Sequence, residues 1–353
     1  MTRLMNRLFL TAIGLSAFYF TVVSMAAQGA APRAAQTHDI TATTYYNTFS
    51  RQHPVLKRVN PGDTIRTKTL DNAGRDDKGE VRGNRGNPLT GPFYIEGAEQ
   101  GDTLIVRFTR VRMNRTTGHA TGRLGLVSLT PQSIEGLYPN RFKEGAAYPG
   151  AGANLLSWEL DLERQMVRLK DPTSAVTKLE FPAQPMVGCV GVAPAGDFSP
   201  TSGPSGNYGG NLDYNLIGEG SIMTLPVFHP GALLFVGDGH ALQGDGEPTG
   251  NGIETSLDLE FTVDVRKQAP LTGPRVETSD DIISIGSQPE FASSLDRGLQ
   301  MATSDMVRWL TTDYGMEPWA AHALIGMQSR YDVVTVAGSM ALRISKKYLP
   351  PRR

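Results

Sequence analysis

The chain has 353 residues, with 34 Lys and Arg against 35 Asp and Glu, so it has no large field of either sign to draw it to nucleic acid or to an anionic membrane. One cysteine, Cys189, excludes an intrachain disulfide framework and any thiolate-cluster metal site. With 39 glycines, 23 prolines and few segments of helical period, the composition favours a β-rich protein with many turns.

Arg3 and Arg7 precede an uncharged apolar run, Leu8 to Met25, which is followed by small residues. This predicts a secretory signal peptide over residues 1–30, with an uncleaved membrane anchor as the alternative. Export to the periplasm or medium is therefore expected. The rest, 31–353, reads as one β domain. Strands are predicted at Ile40–Tyr46, Asp63–Leu70, Phe93–Gly97 and Thr103–Phe108. Asp71 to Pro88, charged and almost without apolar residues, reads as a long exposed loop. No pairing follows from the alternation between Arg112 and Pro185. Further strands are expected at Val187–Val192, Ser221–Val227, Ala232–Val236 and Ser256–Val265, at a spacing that suggests an antiparallel sandwich. Only the C-terminal part, 285–353, reads as helical. Phe291, Leu295, Leu299, Met306 and Leu310 mark a helix from Pro289 to Leu310, and Pro318 opens a shorter one to about Gln328.

The polar weight falls on glycine-rich segments. Gly237 to Glu247 reads GDGHALQGDGE and follows the apolar run Ala232–Val236, so acids and an imidazole gather where a strand is expected to leave the core. Asp238 and His240 are two apart, hence on one side of an extended chain and able to share a cation. Asp245 and Glu247 repeat the spacing, and Asp213 ends the run Gly209-Gly210-Asn211-Leu212-Asp213. Oxygen-rich ligation with one imidazole suits zinc, manganese, iron or calcium. Glu247 is then the carboxylate free to carry a proton. The plainer readings are a turn or a structural calcium loop, with His240 as a hydrogen-bonded loop residue and Cys189 as a small core residue. Neither a Gly-x-Ser-x-Gly elbow nor a dinucleotide-binding glycine motif is present.

Four stretches, Asn87 to Val106, Gly188 to Pro194, Gly209 to Asp213 and Leu225 to Glu254, resemble the acetamidase/formamidase family in order and spacing. The resemblance implies a jelly-roll-like β-sandwich that hydrolyses small linear amides to a carboxylate and ammonia. It also implies a metal-supported site at Asp238, His240 and Glu247, with Asp213, Asp71 and Glu96 as further ligand candidates. On that reading zinc is the expected cation, Glu247 and His240 are the catalytic groups, and Gly209, Gly210 and Asn211 steady the oxyanion or bind substrate. The expected partners are a small amide and further copies of the chain in a homo-oligomer. One departure stands out: the family carries Pro-Gly-Pro-His before Gly-Gly-Asn, whereas here the stretch is Gly203-Pro204-Ser205-Gly206-Asn207-Tyr208, without the histidine. This points the specificity away from the smallest amides. The competing reading is a non-catalytic secreted sandwich that binds carbohydrate or another ligand through a calcium loop.

Overall fold

A computed structural model describes residues 33–121, 128–137, 155–171, 173, 175–288 and 294–353, with no side-chain detail at 135–137. The expected signal segment therefore lies outside the described residues, apart from its flank. Residues 35–353 pack as one unit.

Alternation builds the larger sheet. In Leu257–Arg266 the residues Leu257, Leu259, Phe261 and Val263 point inward while their neighbours face water. This strand pairs with Thr103–Met113 on one side and Thr64–Lys68 on the other. The sheet has nine strands, from Thr37–Asp39 at one edge, through Ile222–Pro226, Arg275–Glu277, Asp281–Gly286 and Ser339–Ser345, to Arg330–Thr335 at the other. A six-stranded sheet runs in the order Ser205–Gly206, Gly209–Asn211, Met186–Val192, Leu234–His240, Leu89–Ile95 and Lys57–Val59. Its central strands Met186–Val192 and Leu234–His240 are buried throughout; the first is an unbroken run of small and apolar residues, and the second carries Asp238 and His240 after its apolar start. The two sheets share one core, in which Phe93 meets Phe261 edge-on with ring centroids 5.9 Å apart.

The protein is mainly β, with a small helical part near the C-terminus. The sheets, however, are mixed: Thr37–Asp39 runs parallel to Thr64–Lys68, and Lys57–Val59 parallel to Leu89–Ile95, so the expectation of a purely antiparallel jelly roll is met only in part. Both parallel pairs sit at sheet edges.

Three differences from the sequence reading affect the site. The strand after Ala232 does not stop at Val236 but runs on to His240. Its glycines are there for close packing, because a Cβ at Gly237 would lie 2.8 Å from the Pro88 carbonyl oxygen and one at Gly239 2.7 Å from that of Thr255. The stretch whose pairing was left open supplies a four-stranded sheet, Thr117–Thr121, Leu155–Asp161, Met166–Asp171 and Glu180–Pro182. The predicted exposed loop folds back on itself. Asp71 at its start is fully buried and accepts hydrogen bonds from the amides of Ala73 (3.0 Å) and Arg75 (2.8 Å).

The C-terminal part holds more than helices. A short helix α1 (Pro131–Leu137) precedes α2 (Leu295–Asp313) and α3 (Pro318–Gln328). The Ser294 side chain caps α2 by accepting from the Arg297 amide at 3.1 Å, and residues 289–293 lie outside the described set. Met306, Trp309, Leu310 and Ile325 of α2 and α3 close a second core over Ile282, Leu342 and Ile344 of the nine-stranded sheet. The strands Arg330–Thr335 and Ser339–Ser345 form a hairpin that ends that sheet. No helix among the described residues is long and apolar enough to cross a membrane.

Candidate active site

The six-stranded sheet carries one buried group of acids around one imidazole. His240 ends the strand Leu234–His240, held opposite Met186, while Gly237 of the same strand faces Leu89. Asp213 follows Gly209–Asn211, and its amide donates to the Gly188 carbonyl at 3.2 Å. Glu254 lies beyond the strand end and is bridged to His240 on one side and to His119 on the other. From His240 Nε2 the distances are 3.1 Å to Glu254 Oε1, 3.7 Å to Asp238 Oδ1 and 3.9 Å to Asp213 Oδ1. Glu247 joins Asp213 and His240 from the half-buried side. Two triads, Asp213–His240–Glu247 and Asp238–His240–Glu254, each have their ligand atoms within 4.8 Å of one another.

Three of these residues hold left-handed backbone conformations, with φ of 45° at Asp213, 56° at Asp238 and 49° at Glu247. Such conformations carry a cost of roughly 1 kcal/mol or more outside glycine and gather where the surroundings hold a side chain in a set direction. Gly188 makes the space between them, since a Cβ there would lie 2.4 Å from Asp213 Oδ1 and 3.0 Å from Asp238 Oδ2.

The electrostatics are those of an uncompensated acid cluster. Burial, with the charge of Asp238 added, pushes the Asp213 carboxyl up to about 7. Burial likewise raises Glu254 to about 8, and burial with Asp213 beside it raises Glu247 to about 10. Burial alone would lower His240, but Glu254 and Asp238 overcome it and hold the imidazole well above its ordinary value. Asp213, Asp238, His240 and Glu254 are each no more than 2% exposed, yet Asp213 Oδ1, Asp238 Oδ1, Glu254 Oε2 and His240 Nδ1 have no hydrogen-bond partner, and His240 Nε2 has only its ion-pair contacts with the cluster's own carboxylates. Buried polar atoms are ordinarily satisfied. A divalent cation fits this donor set: it would take up the orphaned atoms and offset the charge of the carboxylates.

The structure does not bring every candidate to this group. Asp71 is close by through His119, whose Nδ1 is 3.9 Å from Asp71 Oδ2, but the Asp71 carboxylate is taken by Arg115 Nη2 at 2.7 Å. Glu96 stands past the far end of Leu89–Ile95, the strand whose Leu89 faces Gly237, and pairs with Arg58 at 2.6 Å. At ~3.3 Å per residue that places it on the order of 20 Å from the cluster. Gly209, Gly210 and Asn211 form a strand between Ser205–Gly206 and Met186–Val192, which turns their amides into the plane of the sheet, and the Asn211 amide donates to the Pro204 carbonyl at 3.2 Å. The Asn211 side chain does reach the cluster, donating to Asp213 Oδ2. Asp245 accepts from Asn215 at 2.7 Å instead of joining Glu247. In the stretch that departs from the family pattern, Tyr208 is buried against Phe49, and Ser205 Oγ lies 2.7 Å from Ser287 Oγ. Cys189 is buried; burial, with Asp238 and Asp213 nearby, keeps its thiol well above the ordinary value.

Glu254 and Gly188 lie within the stretches Leu225 to Glu254 and Gly188 to Pro194, but sequence reasoning assigns neither a role. The signals were present: GNGIE returns a carboxylate after a glycine-rich turn, and GCVGV places a glycine where a central strand would otherwise carry a side chain.

The profile of the acetamidase/formamidase family matches residues 34–202 and 199–295. The chain therefore belongs to the acetamidase/formamidase family. It is 27% identical over 261 residues to a formamidase of Methylophilus methylotrophus, covering 63% of this chain and 64% of that one. Over 221 residues it is 28% identical to an acetamidase of Mycolicibacterium smegmatis, covering 51% and 53%. The crystal structure of an acetamidase from Yersinia enterocolitica superposes with a TM-score of 0.72 at 27% identity, covering 89% of this chain and 93% of the other. The chain spans between 53% and 64% of the length of the curated relatives it matches.

Proposed function

We propose that the protein hydrolyses linear amides at a divalent cation held by Asp213, Asp238, His240 and Glu254, with Glu247 as general base. One observation carries the reading: fully buried carboxylates converge on a single imidazole with their inner atoms unpartnered. Membership of a family whose relatives are a formamidase and an acetamidase supports the reaction class. Zinc suits a mixed imidazole and carboxylate donor set. A calcium loop would draw on oxygen donors alone, so the imidazole at the centre speaks against the binding-only alternative.

When bound, such a cation supplies Lewis-acid polarisation of the amide carbonyl. The remaining work falls to the chain. Glu247, half-buried and reaching Asp213 and His240, is the acid nearest to solvent and so the one able to meet both water and substrate. With a cation's charge offsetting its acid neighbours Glu247 would be ionised, and its carboxylate takes a proton as the water oxygen attacks the carbonyl carbon, then delivers it to the nitrogen as the C–N bond breaks. A carboxylate and ammonia leave. Asn211, donating to Asp213, fixes the direction of that carboxylate.

The test is ammonia release from formamide, acetamide, longer amides and formylated amines, with and without chelator. Turnover that a chelator abolishes and zinc restores is the expected result; chelator-insensitive turnover would remove the cation from the mechanism. We infer export from Arg3, Arg7 and the run Leu8 to Met25. Sequencing the N-terminus of protein recovered from the periplasm or medium tests this, and finding the chain in the cytosol starting at Met1 would overturn it.

A further inference from the structure

Beside the acid cluster lies a cavity of about 440 Å³ of opposite character. Arg75, Arg85, Arg115 and His119 line it together with Ala73 and Gly118, and among the described residues no carboxylate does. Arg115 is committed, donating to Asp71 at 2.7 Å and to the Asp76 and Thr117 carbonyls at 3.0 and 2.9 Å. Arg75 donates to the Gly79 carbonyl at 2.8 Å, and neither it nor Arg85 has a carboxylate partner among the described residues.

The placement relative to the site follows from register. Glu254 is bridged to His240 on one side and to His119 on the other, with amide hydrogen bonds of 3.2 and 2.7 Å between His119 and Glu254. Residues directly opposite in antiparallel pairs project from the same face. His119, Glu254 and His240 therefore form one row, and at ~4.8 Å per strand the His119 wall of the cavity stands about 10 Å from His240. That separation is of the order of the length of a short linear amide with a second polar group at its far end.

We propose that this cavity receives a carboxylate of the substrate, so that the preferred substrates are short linear amides with an anionic group at the far end, such as the monoamides of short dicarboxylic acids. This rests on the reading of the acid cluster as an amide-hydrolysing site. The reaction is the ordinary one: water adds its oxygen to the amide carbon, the C–N bond breaks, and succinamate, for example, yields succinate and ammonia. A guanidinium–carboxylate hydrogen bond contributes about 1.5–3 kcal/mol, or roughly a ten- to hundredfold preference over a neutral tail.

Two measurements keep the cavity and the chemistry separate. In the first, kcat/KM is compared for succinamate and butyramide in wild type and in the double variant Arg75→Gln/Arg85→Gln. The wild type should favour succinamate by about tenfold or more, and the variant should lose that ratio. A wild type indifferent to the carboxylate, or a ratio that survives in the variant, overturns the proposal. In the second, succinate and acetate binding are measured by calorimetry on the same two proteins, which needs no turnover. Succinate should bind the wild type about tenfold more tightly than acetate, and the variant should bind both alike. If no amide is hydrolysed but this difference appears, the cavity stands and the amidase reading falls. Equal binding of the two anions to wild type overturns the cavity.

Discussion

Glu254 Oε1 lies 3.1 Å from His240 Nε2, both side chains fully buried and both held by the same bridge. The pair is enclosed by the fold, whereas Glu247 is half-buried. The two glutamates therefore fail differently when altered. Glu254→Gln removes a buried donor from the proposed cation shell, so purified protein should contain several-fold less zinc than wild type by elemental analysis and lose activity with it. Retention of wild-type zinc would take Glu254 out of the shell.

Glu247→Gln should keep the cation and the fold while kcat falls by about a hundredfold or more, the usual contribution of a positioned general base. Steady-state ammonia release with matched metal content checks this. A kcat close to wild type would assign the proton transfer to another group.

Gly188→Ala tests the space between the two aspartates. The added Cβ would sit 2.4 Å from Asp213 Oδ1, a distance no contact tolerates, and the central strand bearing it has little room to retreat. We expect loss of cation binding with a destabilisation of about 1–3 kcal/mol, as for other overpacked interiors. Wild-type metal content and unfolding midpoint would show that the aspartates can part freely.

Acidity gives a fourth test. In cation-free protein the carboxyls of Asp213, Glu254 and Glu247 release protons near 7, 8 and 10, well above their values in the unfolded chain. Folded protein then binds more protons than unfolded protein in that range, so the stabilising contribution is complete below about pH 4 and is lost as pH rises through the raised values. Thermal unfolding in chelator should thus show a midpoint falling from about pH 5 to about pH 9, and a saturating divalent cation should flatten the slope. A midpoint that rises over this range without cation would contradict the picture.

Much of the site was legible because its parts are local. Asp238 and His240 share one strand, and their i, i+2 spacing survives in the structure, though the left-handed turn at Asp238 was not foreseeable. Asp213 announced itself as an acid at the end of a glycine run. What the sequence could not convey was pairing. Glu254 matters because it lies between His119 and His240, residues that only the assembled sheets bring beside it. Asp71 and Glu96 carried the right chemistry, but Arg115 and Arg58 occupy them, and nothing local names those partners. The same limit explains the C-terminal hairpin, whose strands are too irregular in alternation to stand out beside two well-marked helices.

The loop bearing Glu247 is fastened at a distance. The Val336 amide donates to the Gly246 carbonyl at 2.8 Å, and Tyr214, next to Asp213, donates through its hydroxyl to Asp332 at 2.6 Å. Both anchors belong to the C-terminal hairpin or its turn, translated long after the residues they hold. The loop that the proposed mechanism uses is thus pinned by a hairpin of the other sheet. Formation of the proposed site is thereby tied to the pairing of the C-terminal hairpin.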